Sequence, residues 1–236
     1  MFESFKILFL MFITYSFFGW CMECIYMKIE DKILTNRGFF IGPYCPLYGF
    51  GAVLMSLFLQ KFENNIVGLF FLAVVICTIL EYLTGYVLEK IFDARWWDYS
   101  DEPFNINGRV CLKTMFYFGI LGVLMIKFLN PTILKFYNNF SASTFNIMFY
   151  VIAIIFFSDV VVSIYILIRI KKEGKLIKKE KDNSMEMSKK VRETLKTLSY
   201  PYRRLLSAFP NIRYIKNTIK EKSIKILKKG KRKKKQ

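Results

Sequence analysis

Four stretches of the chain, Ile7–Met27, Ile66–Leu88, Cys111–Leu129 and Ile147–Ile168, are each about twenty residues long and mainly apolar. A helix of that length matches the ~30 Å of hydrocarbon in a bilayer, so the four read as membrane spans. A fifth candidate, Gly42–Gln60, is weaker. Its apolar run from Leu47 to Leu59 has 13 residues, ~20 Å as helix, and Pro43 and Pro46 stand at its head. It fits either a short full span or a re-entrant segment.

The charge is divided along the chain. Residues 1–168 hold 11 Lys/Arg and 12 Asp/Glu, a net of −1. Residues 169–236 hold the remaining 25 of 36 and 6 of 18, a net of +19. The expected organisation is a transmembrane domain over 1–168 and a basic tail over 169–236. Short cytoplasmic loops are enriched in Lys/Arg, so the tail is placed in the cytoplasm. Five spans (7–27, 42–60, 66–88, 111–129, 147–168) then put seven basic residues on cytoplasmic loops (Lys28, Lys32, Arg37, Lys90, Arg95, Arg109, Lys113). Four fall outside (Lys6, Lys61, Lys127, Lys135). A re-entrant second segment reverses that bias, to five against six. The expected fold class is therefore all-α, a polytopic membrane helix bundle of five transmembrane helices. The N-terminus lies outside, and a basic cytoplasmic tail carries an amphipathic helix.

Several chemistries are excluded by inventory. There is no histidine, which removes Ser-His-Asp and Cys-His nucleophile systems and His-ligated metals. No G-x-x-x-x-G-K-[ST] occurs, so the chain does not itself hydrolyse a nucleotide through a P-loop. Cys21 and Cys24 have redox-motif spacing but lie inside an apolar stretch, where a reactive thiolate is disfavoured. No cofactor and no metal site is expected, and no catalytic residue is assigned.

Three acids, Glu23, Glu81 and Asp159, fall inside the spans. Charged groups at depth cost ~2.5–3.5 kcal/mol each on insertion scales and usually face a cavity or a partner. Lys113 and Lys127 sit near the expected helix ends and can snorkel. Three acids without a buried base suggest protonated carboxyls, a bound cation, or pairing with Arg37, Arg95 or Arg109 from the loops. Two loops stand out. Residues 37–51 concentrate Gly, Pro and Tyr before the weak span. Residues 95–109 hold Trp96, Trp97, Asp98, Tyr99, Asn105 and Asn107 between Arg95 and Arg109. Trp96, Trp97 and Tyr99 are expected interface anchors. The expected polar site joins Glu23, Arg37, Glu81, Arg95, Asp98, Asn105, Asn107, Arg109 and Asp159. Its alternative is an aromatic anchor surrounded by solvated charges.

These loops also carry a resemblance. Gly19-Trp20 followed by Glu23, then Asn36-Arg37-Gly38-Phe39, Gly42-Pro43-Tyr44-Cys45-Pro46 and Tyr48-Gly49-Phe50-Gly51, run in one order with Glu81-Tyr82-Leu83-Thr84 and Leu88-Glu89-Lys90. Arg95-Trp96-Trp97-Asp98-Tyr99-Ser100 and Phe104-Asn105-Ile106-Asn107-Gly108-Arg109 complete the series. Together, over roughly residues 5–170, they resemble the bacterial ABC-transporter type IV permeases (the CmpB-type family). The resemblance implies a multi-pass protein of the bacterial plasma membrane, partnered by a separate ATPase subunit. It implies no substrate.

In the tail, Asn211 can cap a helix whose Ile212, Ile215, Ile219 and Ile226 fall near one face. A basic amphipathic helix next to a span is suited to anionic lipid headgroups, at ~1 kcal/mol per Lys/Arg near the surface. Nucleic acid is disfavoured as a partner because no reading fold accompanies the charge. Self-association is left open. Transport of an unidentified solute is the leading functional expectation. A non-catalytic membrane scaffold or regulator comes second, and a membrane-embedded enzyme acting on lipid or an envelope precursor third.

Overall fold

The computed structural model describes residues 2–30, 38, 40–92, 94–180 and 213–214. Its elements are α1 (Phe2–Glu30), α2 (Pro46–Leu59), a 3₁₀ turn (Gln60–Phe62), α3 (Ile66–Phe92), β1 (Ala94–Arg95), α4 (Leu112–Leu124), a π-helical turn (Met125–Leu129), α5 (Asn130–Asn138), α6 (Ala142–Glu180) and β2 (Arg213–Tyr214). Four helical stretches are long and apolar enough to cross a membrane: Phe2–Ile29, Ile66–Phe92, Leu112–Asn138 and Ala142–Ile168. The fold is a multi-pass helical bundle.

Local chemistry sets the helix starts. The Asn65 side chain accepts from the Gly68 N–H at 2.9 Å at the head of α3. Ser141 accepts from the Thr144 N–H at 3.2 Å at the head of α6. At the head of α4 the Cys111 N–H donates to Thr114 Oγ1 at 3.2 Å, and the Thr114 hydroxyl donates to the Cys111 carbonyl at 2.9 Å. Caps of this kind contribute ~1 kcal/mol each.

The side-chain contacts fix the helix directions. Phe149 meets Phe2 and Phe5, and Phe156 meets Phe9 and Phe12, so α1 and α6 run parallel. Tyr48 donates to Glu23 while Gly49 packs on Phe12 and Ser16, so α2 runs against α1. Gly51 lies by Leu80 and Met55 by Cys77, so α3 runs against α2. Gly122 packs on Ala73 and Gly85 on Arg109, so α4 runs against α3. One end of the bundle carries the short connections at Gln60–Asn65 and Asn139–Ser141; we call it the turn end. The other carries the end of α1, residues 94–111 and the long extension of α6; we call it the loop end.

The buried apolar core lies toward the turn end. It comprises Leu10, Met11 and Tyr15 with Ala52, Met55, Leu59, Leu69, Ala73, Met125, Ile126, Ile133, Tyr137, Phe145 and Phe149. One polar knot is set into it. The Tyr15 hydroxyl donates to Asn130 Oδ1 at 2.6 Å, and Asn130 Nδ2 donates to Ser56 Oγ at 2.9 Å, tying α1, α2 and α5 together. The Thr14 and Tyr137 hydroxyls bond at 2.7 Å beside it.

The weak second segment is resolved into two parts. α2 has 14 residues, about 21 Å of helix, which falls short of ~30 Å of hydrocarbon. Before it, residues 40–45 are irregular and reach the middle of the bundle, where the Cys45 N–H donates to the carbonyl of Ser16 at 2.8 Å. The irregular segment and the short helix therefore pass through the bundle together. Non-helical backbone is tolerated at such depth only where protein satisfies its polar groups.

The fourth span differs from its expected limits. The π turn and α5 carry that helix from Leu112 to Asn138, so Lys127 is well inside a helix and not near its end. α6 likewise begins at Ala142 and runs past Ile168 to Glu180. Arg213–Tyr214, which fall within the expected tail helix, lie extended and pair antiparallel with Ala94–Arg95. The rest of that expected helix lies outside the described residues.

Candidate functional site

The loop end is where the polar side chains gather, and α3 supplies the base on which they stand. Glu81, Tyr82, Tyr86 and Glu89 succeed one another at helical spacing toward its end. Over them folds the 94–111 segment, shaped by its own hydrogen bonds. The Tyr99 N–H donates to the Gly108 carbonyl at 2.8 Å and the Ile106 N–H to the Val110 carbonyl at 2.8 Å. Asn105 holds the turn from inside, donating to the carbonyls of Ser100 (3.2 Å) and Glu102 (2.8 Å) and accepting from the Gly108 N–H at 3.0 Å. Gly108 has φ +68°, and a Cβ there would run into Ser100 and Asp98, so only glycine closes this turn without strain.

At the centre is Arg109, 9% exposed. Its Nη2 donates to Glu89 Oε2 at 2.8 Å, and its guanidinium lies over the rings of Tyr82 and Tyr86 at 5.3 and 5.4 Å. The Trp97 indole N–H donates to the Arg109 carbonyl at 3.0 Å. Glu89 Oε2 also lies 3.4 Å from Arg95 Nε, so one carboxylate faces two guanidinium groups. Arg95 Nη1 reaches Asp98 Oδ1 at 3.2 Å, which in turn accepts from the Ser100 hydroxyl at 2.5 Å and the Ser100 N–H at 3.1 Å. Partial burial pushes the Asp98 carboxyl up. The bonds from Ser100 and Arg95 outweigh that and hold it below the usual carboxylate range. Asn107 donates to the Tyr82 hydroxyl at 2.9 Å.

Deeper in the bundle, the Tyr99 hydroxyl reaches down to Glu81 Oε1 at 3.4 Å. Glu81 is 5% exposed, and its Oε2 has no hydrogen-bond partner. Glu23 on α1 accepts from the Tyr48 hydroxyl at 2.7 Å and lies within electrostatic reach of Glu81.

Asp159 belongs to a separate polar centre. Its Oδ1 accepts from the Ile41 N–H at 3.0 Å and its Oδ2 from the Gly42 N–H at 2.6 Å, while the Ser163 hydroxyl donates to Oδ1 at 2.8 Å. These three hydrogen bonds tie the irregular segment to α6.

The structure thus joins Arg95, Asp98, Asn107 and Arg109 in one cluster with Glu81 beneath it. Glu23 is linked through Tyr48, Asn105 shapes the loop, and Asp159 stands apart. Arg37 lies outside the described residues. Trp96 is buried against Phe92, and the polar atoms of Trp97 and Tyr99 point inward to Arg109 and Glu81. Glu89, Tyr48 and Tyr82 were missed as site residues. The i, i+4, i+7 succession of Tyr82, Tyr86 and Glu89 was the available signal, because it places all three on one stripe of α3. Among the described residues, no group of three or more Cys, Asp or Glu side chains could hold a metal ion.

Comparisons with curated proteins and with solved structures each gave no match. A family model does match, over residues 10–164, and covers every element from α1 to the middle of α6. The chain belongs to the family described as "Putative ABC-transporter type IV".

Proposed function

We propose that the protein is the membrane-spanning permease subunit of a bacterial transporter driven by a separate ATPase subunit. In this reading the loop end faces the cytoplasm, the N-terminus lies outside, and residues 169–236 form a cytoplasmic tail against anionic lipid. The solute is handled at the loop end by Arg109, Arg95, Asp98 and Asn107, with Glu81 and Glu23 below them and Arg37 as a further member. Asp159 fixes the irregular segment that flanks the path. The observation that carries this reading is the partly buried Arg109–Glu89–Arg95 cluster above a buried Glu81, at one end of a bundle whose other end is an apolar core. Ionisable groups are kept at such depth mainly where a solute or ion passes. Lys28, Lys90, Arg95, Arg109 and Lys113 fall toward the same end, which supports its cytoplasmic placement.

The test is reconstitution in proteoliposomes with and without an ATPase subunit that co-purifies. ATP-dependent accumulation of a solute, reduced at least tenfold by Arg109→Ala, is the expected result. Turnover of a lipid by the protein alone would overturn it in favour of an enzyme.

One observation favours a second reading, a scaffold that docks another protein. Phe104, 81% exposed and held at φ +52°, is presented on the 94–111 loop. Co-purification of a partner that is not an ATPase, lost on Phe104→Ala, would support it.

A further inference from the structure

Glu81 is not accounted for by the arginine cluster above it. It lies about three turns inside the loop end of α3, and no Lys or Arg among the described residues makes an ion pair with it. Its surroundings can be named element by element. On α3 itself stand Cys77 and, one turn back, Thr78, whose Oγ1 also lacks a partner. From α1 comes Glu23, and from α2 comes Tyr48, whose hydroxyl is given to Glu23. From the loop comes Tyr99, whose 3.4 Å contact is long for a hydroxyl–carboxylate bond. From α4 comes Thr114, whose hydroxyl is shared between Glu81 and the Cys111 carbonyl. Each named neighbour is neutral or acidic.

A carboxylate in that setting would be stripped of water, would face the charge of Glu23, and would have only the long bond from Tyr99 and the shared Thr114 hydroxyl to offset this. The neutral acid avoids the first two costs and gains a donor at Oε2.

We propose that Glu81 is a proton-binding site within the membrane domain. A proton from water at the loop end bonds to Oε2, the side chain passes from −1 to neutral, and the same O–H bond breaks when the proton is released. Tyr99, which touches Glu81 from the loop, and Glu23, which repels its charged form, set how readily the proton is held. Its link to solute movement rests on the permease reading and deepens it, because a proton then becomes a co-ligand of the same site. The occupancy of Glu81 does not depend on that reading.

The measurement is infrared spectroscopy of the purified full-length protein in lipid, titrated from neutral to alkaline pH. The C=O stretch of a buried protonated carboxylic acid is expected at neutral pH. It should disappear as pH rises and be missing in Glu81→Gln. Glu23→Gln, which removes the repulsion while leaving Glu81 in place, should move the loss of the band to lower pH. Dicyclohexylcarbodiimide, which couples to protonated carboxyls in apolar surroundings, should modify the Glu81 peptide at neutral pH and lose reactivity along the same curve. An unchanged spectrum in Glu81→Gln, or wild-type protein with neither band nor coupling at neutral pH, overturns the proposal. If Glu81→Gln does not fold, the wild-type titration and peptide labelling decide. A titrating Glu81 without solute accumulation sinks the permease reading alone, and accumulation without the band sinks the proton site alone.

Discussion

The backbone N–H of Gly42 donates to the carboxylate of Asp159 at 2.6 Å, across 117 residues of chain. With the Ile41 N–H on the other oxygen, this contact holds an irregular segment against α6 without any basic side chain. Hydrogen bonds to a charged group contribute roughly 1.5–3 kcal/mol each. Asp159→Ala should therefore lower stability by at least ~2 kcal/mol. Asp159→Asn, which keeps one acceptor oxygen, should fall between it and the parent. Thermal unfolding in detergent gives the order, and a cysteine at position 41 should become more reactive in the same order. Equal stability of all three proteins would contradict the contact.

Two glycines of α2 provide an internal comparison. A Cβ at Gly49 would collide with Ser16 Oγ and the Phe12 carbonyl of α1, so Gly49→Ala must push the two helices apart, at about 1–3 kcal/mol. A Cβ at Gly51 would sit 3.7 Å from Cys77 and Leu80, an ordinary contact, and alanine is the better helix former by ~0.5–1 kcal/mol. Gly51→Ala should be neutral or stabilising. Unfolding midpoints of the two variants should move in opposite directions or differ by several degrees.

Glu89 holds two guanidinium groups apart. Its replacement by Gln leaves Arg95 and Arg109 facing each other, partly buried, and should cost about 2–3 kcal/mol. Arg109→Lys should also lose function, because an ammonium cannot both reach Glu89 and lie flat over Tyr82 and Tyr86. Unfolding and solute uptake, measured together, check the pair. Wild-type behaviour of both variants would sink the cluster as a working site.

The Asp98 carboxyl sits below its ordinary range in the folded protein, so its contribution has a definite pH window. It is fully present above the unfolded-state value of about 3.9 and is lost as pH falls through the lower folded value. The stability gap between the parent and Asp98→Asn should be constant near neutrality and close in acid. A gap that widened on acidification would reverse the sign and refute the assignment.

The membrane spans were readable because apolar length alone identifies them, and the loop-end cluster was readable in part because arginines and acids are rare in such a chain. Other features depend on contacts distant in sequence. The fourth span is expected to end at Leu129, where its apolar run stops before Asn130-Pro131. The helix continues because Tyr15 and Ser56 satisfy Asn130, and Thr14 pairs with Tyr137. Pro131 lies in the first turn after the π segment, where its missing N–H is least costly. Nothing local marks Glu89, beside Lys90 near a helix end, as a site residue, and only the fold of the 94–111 segment brings Arg95 and Arg109 onto it. The irregular backbone before α2 was legible from its glycines and prolines. Its anchor on Asp159 was not, since no local pattern links positions 41 and 159.

The π turn at Met125–Leu129 has a geometric consequence for its helix. Gly119, Gly122, Ile126, Asn130, Ile133 and Tyr137 follow one another at steps of three and four, the single stripe of an unbroken α-helix. Widening one turn sets everything beyond it back by about one residue, ~100° around the axis. The stripe therefore addresses α3 through Gly119 and Gly122 before the turn, and α1 through Asn130 and Tyr137 after it. Removing one residue from 125–129 would turn the wide turn into an ordinary α turn and leave Asn130 and Tyr137 on Tyr15 and Thr14, so the π turn absorbs one extra residue and thereby lets one helix serve two neighbours.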